Sequence, residues 1–159
     1  MSIYYQNKKN STIPKEWFFF NPENLSDGKK LNHLSKKVGV IFFNKNLSVY
    51  NFLKKIEPYI KFCREKKIKF VIPFSKFWSN KYHPFGMMIK INKRSKKIHS
   101  TKNKHKNYLT VAKVHNVKEA FLAKGFIDLI FLSPVLKTDS YPKKKPLSNY
   151  IFISLCFFF

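Results

Sequence analysis

Leu109-Thr110-Val111-Ala112-Lys113-Val114, then Val117 to Lys124 with Gly125 behind it, then Asp128-Leu129-Ile130-Phe131-Leu132, is the stretch that decides the fold. Each end is a short apolar run of strand composition. The middle has helical character, and Gly125, with no Cβ, suits the left-handed residue that closes a helix. The stretch therefore reads as a compact β-α-β unit, one step of a parallel barrel.

Outward from this unit the same alternation continues. Upstream, Trp17 to Phe20, Val38 to Phe43, Phe70 to Ile72 and Gly86 to Ile89 read as strands, and the continuous apolar character of Val38 to Phe43 suits a strand buried on both faces. A short helix is expected around Lys29 to Ser35. From Ser48, a plausible N-cap, Tyr50, Leu53, Ile56, Ile60 and Cys63 recur at helical spacing, and Pro58 is expected to kink or split that helix. Lys93 to Lys106 is basic, dotted with Ser, His and Asn, and reads as a solvated loop or short helix. The expected fold class is α/β, an incomplete (β/α)8 TIM barrel of about six parallel strands with intervening helices. Residues 1–14 form a polar N-terminal segment, 15–148 the barrel portion, and 149–159 an apolar, strand-prone tail.

Composition bounds what the chain does. Hydrophobic residues are 44% and aromatics 18% of 159, enough for a single core and too many for a disordered chain. Against 8 Asp plus Glu stand 32 Lys plus Arg, a net charge of +24. Such a field attracts polyanions without sequence preference. AT-rich codons offer a second explanation, since Lys, Asn, Ile, Phe and Tyr are all abundant and the basic residues are dispersed. Cys63 and Cys156 have no ligand spacing, which fits a reducing compartment and neither disulfide nor zinc. His33, His83, His99 and His105 likewise stand apart and are expected at the surface. With no signal peptide and no run near the ~20 apolar residues of a membrane span, a cytoplasmic location off the membrane is expected.

Ala112-Lys113-Val114-His115-Asn116, the pair Glu119-Ala120, and Asp128 through Ser133-Pro134-Val135 carry a family resemblance. Together with Lys137-Thr138-Asp139-Ser140-Tyr141 and Lys145-Pro146-Leu147-Ser148, they resemble the fifth-strand, fifth-helix and sixth-strand region of thiamine phosphate synthases and the related thiazole tautomerases. Upstream, Val40 to Lys45 resembles the second strand of that family, with Lys45 in its Lys place and Phe43 in its Arg place. Gly86-Met87-Met88-Ile89 resembles its Gly-x-His-x strand, with Met88 in the His place. The resemblance implies an eight-stranded barrel with its active residues at the carboxyl ends of the strands.

The same resemblance implies a transferase chemistry of thiamine biosynthesis. Hydroxymethylpyrimidine diphosphate is joined to a thiazole phosphate, and the departing pyrophosphate needs Mg²⁺, cations and hydroxyl donors around it. Lys45, Lys113, Thr138 and Ser140 are the candidate substrate and phosphate ligands. Mg²⁺ is expected from the family, yet Pro73 and Phe74 stand where it presents Asn-Asp, and Asp139 is the one acid near an expected rim. His115 is the candidate catalytic residue, because an imidazole there can move a proton on a thiazole carboxylate phosphate, as in the tautomerases. Its alternative role is to cap the following helix or pack at the rim.

An eight-stranded barrel takes about 200 residues. A chain of this length leaves strands seven and eight unaccounted for, along with the glycine-rich loops that hold phosphate, so the Phe-rich ending reads as a shortened or frameshifted end. Open sheet edges invite self-association. Three functions stay open: a divergent or impaired synthase, a proton-transferring tautomerase relative, and a basic nucleic-acid-binding module without catalysis.

Overall fold

The computed structural model describes residues 3–5, 13–43, 48–92, 108–135 and 146–158. The chain divides into two compact units, Ser11–Met88 and a second built from Met1–Asn10 with Ile89–Phe159. Among the described residues, six strands in parallel ladders, four in one unit and two in the other, with intervening helices give the α/β class expected from the sequence.

In the first unit, strands β2 (Glu16–Phe20), β3 (Val38–Phe42), β4 (Phe70–Pro73) and β5 (Gly86–Ile89) pair in chain order, all parallel. Val40, Ile41 and Phe42 are fully buried, which is why β3 is apolar without alternation. Phe20 holds this sheet to its neighbours through rings: its centroid lies 5.2 Å from Phe42 and 4.6 Å from Tyr59. At the pairing Trp17 to Gly39, β3 has room for the Trp17 indole only because residue 39 has no side chain.

Helix α1 (Leu25–Asn32) starts earlier than the sequence suggests. Asn24 sets its start by accepting the Ser26 N–H, and Asp27, buried, accepts from the Asn21 N–H and the Asn24 amide. Helix α2 (Val49–Glu65) begins at Ser48 as expected. It runs unbroken through Pro58, so the helix is not split. Phe52, Leu53, Ile56, Ile60 and Cys63 are buried along one side, each worth about 1.5–3 kcal/mol, which outweighs the ~3 kcal/mol cost of an interior proline. Pro58 lies on the exposed side, as does Lys54, one turn earlier, whose carbonyl a proline N–H cannot serve. Tyr50 is not part of the buried stripe; it is 61% exposed and carries the Lys54 ammonium over its ring, while Phe52 takes the core position.

Helix α3 (Lys76–Tyr82) had no counterpart in the sequence reading. Ser75 caps it by accepting the Trp78 N–H, and Trp78 and Tyr82, one turn apart, stack at 5.0 Å and are buried. Tyr82 and Lys81 both donate to Glu57, tying α3 to α2.

In the second unit, β6 (Leu109–Val114) and β7 (Leu129–Leu132) are parallel neighbours joined through α4 (Val117–Ala123). Gly125 has φ +87°, the left-handed value expected for it. At the amino ends of these strands Asp128 accepts the Thr110 N–H at 2.7 Å and lies 2.6 Å from the Thr110 hydroxyl. A further strand, β1 (Ile3–Tyr5), pairs antiparallel to β7 with Ile3 opposite Phe131. The ending expected to be strand-prone is instead a helix, α5 (Asn149–Phe158), capped by Ser148 accepting the Ile151 N–H. Leu155 is its buried anchor, whereas Tyr150 and Phe157 are more than 80% exposed.

Candidate functional site

The carboxyl ends of β6 and β7 bring together the residues with the most chemistry. Register pairs Val114 with Leu132, so the next residue on each strand, His115 and Ser133, leaves the sheet at the same level. The Ser133 N–H donates to the Val114 carbonyl at 3.0 Å, which fixes the two chain exits to each other. The His115 ring then meets the Ser133 carbonyl through Nδ1. A carbonyl only accepts, so Nδ1 carries the hydrogen and Nε2 keeps the lone pair in the neutral ring. The imidazole is half-buried, held in one tautomer, with its basic nitrogen defined.

Glu119 holds the same turn from the other side. Its Oε2 accepts the His115 backbone N–H at 2.8 Å and its Oε1 accepts from the Asn116 amide at 3.1 Å. The Asn116 side chain in turn accepts the Glu119 N–H at 2.9 Å. This reciprocal arrangement is a variant of the capping box, with Asn116 as the cap of α4 and Glu119 reaching back to the backbone one residue before it. The alternative role of His115 as the helix cap is thereby replaced: Asn116 caps, and the imidazole bonds across to β7. Asn116-x-x-Glu119 carried that signal in the sequence, but the bond to Ser133 could not be read there, because it depends on strand register.

The other candidates divide by position. Lys113 stands on β6, half-buried, two residues before His115 and within the same unit. Lys45, Thr138, Ser140 and Asp139 lie outside the described residues, as does the basic stretch Lys93 to Lys106 with His99 and His105. His33 and His83 are exposed, as expected. After β7 the Ser133-Pro134 peptide is cis, and the Pro134 carbonyl accepts the Leu147 N–H at 2.8 Å.

The residues that would hold Mg²⁺ do not fit it. At the carboxyl end of β4, where the resembled family places its carboxylate, stand Pro73, Phe74 and Ser75, and the Phe74 N–H is taken by the Met88 carbonyl. Among the described residues no three His, Cys, Asp or Glu stand close enough to share a metal. Cys63 lies on the buried side of α2, and that burial pushes its thiol up to about 12, the behaviour of a packing residue rather than a nucleophile. Among the described residues no helix is long and apolar enough to cross a membrane.

No protein-family model, curated protein or solved structure matches this chain.

Proposed function

We propose that the chain is a divergent thiamine phosphate synthase-like protein of thiamine biosynthesis, and that its chemistry is proton transfer on a thiazole phosphate through His115. The observation that carries this reading is the Nδ1 contact of His115 with the Ser133 carbonyl at the paired ends of β6 and β7. It leaves Nε2 as the single base, on a ring whose orientation is fixed before any ligand arrives. Proton transfer of the tautomerase kind takes a proton from one carbon of the thiazole carboxylate and returns it to another. The imidazole alone can accept and give back that proton, with no change in electron count and no leaving group. Glu119 acts as a positioning residue, since it holds the His115 backbone through the N–H rather than touching a ligand.

The phosphate end of the ligand falls to the resemblance. Thr138 and Ser140 follow β7 in the sequence and are the expected hydroxyl donors, with Lys113, two residues before His115, the expected cation. Coupling to a pyrimidine diphosphate is the less supported activity. Its departing pyrophosphate calls for carboxylate-held Mg²⁺, and Pro73 and Phe74 supply no such ligand.

The test is calorimetric titration of the full chain with the thiazole carboxylate phosphate, followed by assay for tautomer conversion and, separately, for thiamine phosphate with the pyrimidine diphosphate and Mg²⁺ present. Binding with tautomer conversion and no coupling is the expected result. Efficient coupling would restore the synthase reading; absence of thiazole phosphate binding would remove both.

A further inference from the structure

In the first unit three neighbouring parallel strands are each preceded by lysine at the same end. Lys15 precedes β2, Lys36 and Lys37 precede β3, and Lys69 precedes β4. Register brings them to one end of the sheet: Glu16 pairs with Val38, which sets Lys15 level with Lys37, and Val40 pairs with Phe70, which sets Lys69 level with Gly39, two residues further along β3. All four lysines line one cavity of about 760 Å³ with Ser35, against a single acid, Glu16.

The frame of that cavity is fixed by the backbone. Ser35 turns the chain into β3 by accepting the Val38 N–H at its carbonyl, 3.0 Å, and the Lys37 N–H at its hydroxyl, 3.3 Å. The Lys69 carbonyl accepts the Val40 N–H at 2.9 Å, and its ammonium stands 5.1 Å above the Phe85 ring. Four lysines against one carboxylate leave the lining of this hollow with an excess of positive charge, and a dense anion held there would be attracted to it.

We propose that this cavity binds a short chain of phosphates, either inorganic or the triphosphate of a nucleotide. Its volume is that of a small-molecule site. Its apolar lining, Ile13, Pro14 and Val38, includes no ring on which bases could stack, so a phosphate chain suits it better than single-stranded nucleic acid. The site does not depend on His115 or on the thiazole reading.

The test is calorimetric titration of the full chain with sodium tripolyphosphate, orthophosphate, ATP and a short oligouridine. Tripolyphosphate is expected to bind more tightly than orthophosphate. Lys36→Gln with Lys37→Gln is expected to weaken it at least about tenfold, as loss of two charge-assisted contacts would. Lys61→Gln with Lys66→Gln, exposed positions along and beyond α2 with the same change in net charge, is expected to leave affinity within about twofold. Circular dichroism melts verify that both variants fold. Tripolyphosphate and ATP of equal affinity identify the inorganic chain as sufficient; tighter ATP adds a nucleoside contact to the same phosphate site. Equal weakening in both double variants, no tripolyphosphate binding, or oligouridine binding that is tighter and equally sensitive to Lys36 and Lys37 would overturn the proposal.

Discussion

Replacing Gly39 by alanine perturbs the first unit at its most crowded point. A Cβ built there lies 2.5 Å from both Cε3 and Cζ3 of Trp17 and 2.9 Å from Cδ2, well inside van der Waals contact. The obstacle is an aromatic ring, not the end of a flexible chain, and it is packed against Phe85 with centroids 6.0 Å apart. Trp17 must leave its rotamer or β2 must shift from β3, and overpacking of this kind costs about 1–3 kcal/mol. Because β2–β3 pairing extends over five residues, the strand is held against easy retreat, which favours the upper half of that range. For a chain of this size about 2–3 kcal/mol lowers the melting temperature by roughly 4–12 °C. The assay is urea unfolding followed by Trp fluorescence, with Gly28→Ala as the opposite control. Residue 28 lies inside α1, and its added Cβ would stand 3.7 Å from the Tyr59 hydroxyl, ordinary contact, so that variant should gain up to about 1 kcal/mol from helix propensity. Trp17→Ala should remove most of the Gly39→Ala penalty in a double-mutant cycle. A Gly39→Ala chain as stable as the parent would refute the packing of Trp17 across β3.

Thr110→Val keeps the side-chain volume but takes the hydroxyl from between Asp128 and the Phe126 carbonyl, 2.6 and 2.8 Å away, and should cost about 1–3 kcal/mol in urea unfolding because Thr110 is buried. The Glu57 carboxyl is held below its ordinary value by the Tyr82 hydroxyl first and Lys81 second, so its contribution to stability is complete above the ordinary carboxylate range and lost as pH falls through the lowered value. Glu57→Gln should therefore flatten the acid side of the stability curve while leaving its neutral shape intact, and an unchanged acid side would remove Glu57 from the account of α2–α3 docking. Cys63, with its thiol raised to about 12 by burial, should react with a thiol reagent at pH 8 at least about tenfold more slowly than half-exposed Cys156 in the native chain, and the two rates should converge in urea.

The strands were legible because they are uninterrupted apolar runs: β5 and β6 fall on the residues expected for them, and β3 differs by its last residue, Phe43. Pattern alone misled where a local rule met a tertiary one. Pro58 reads as a breaker until the burial of Ile56 and Ile60 on either side is known. Tyr50 sits at a helical spacing but outside the buried face. Helix α3 escaped because its signal is short, one capping serine and the Trp78–Tyr82 pair, and the apolar C-terminal run reads as strand-prone until a cap such as Ser148 is recognised. At the candidate site the sequence named His115 but not its partner, since the Ser133 carbonyl is identified only by the Val114–Leu132 register. The lysines before β2, β3 and β4 are far apart in sequence and converge for the same reason.

The most direct test of His115 is single-turnover conversion of the thiazole carboxylate phosphate in deuterated buffer, followed by NMR, for the parent chain and His115→Asn. An imidazole that accepts a proton from the ligand and returns one exchanges it with solvent, so deuterium should enter the product, and the variant should convert the substrate about 10²–10⁴-fold more slowly while still binding it. Conversion at the same rate by His115→Asn, or no conversion by the parent chain above the rate in buffer, would contradict proton transfer at this site.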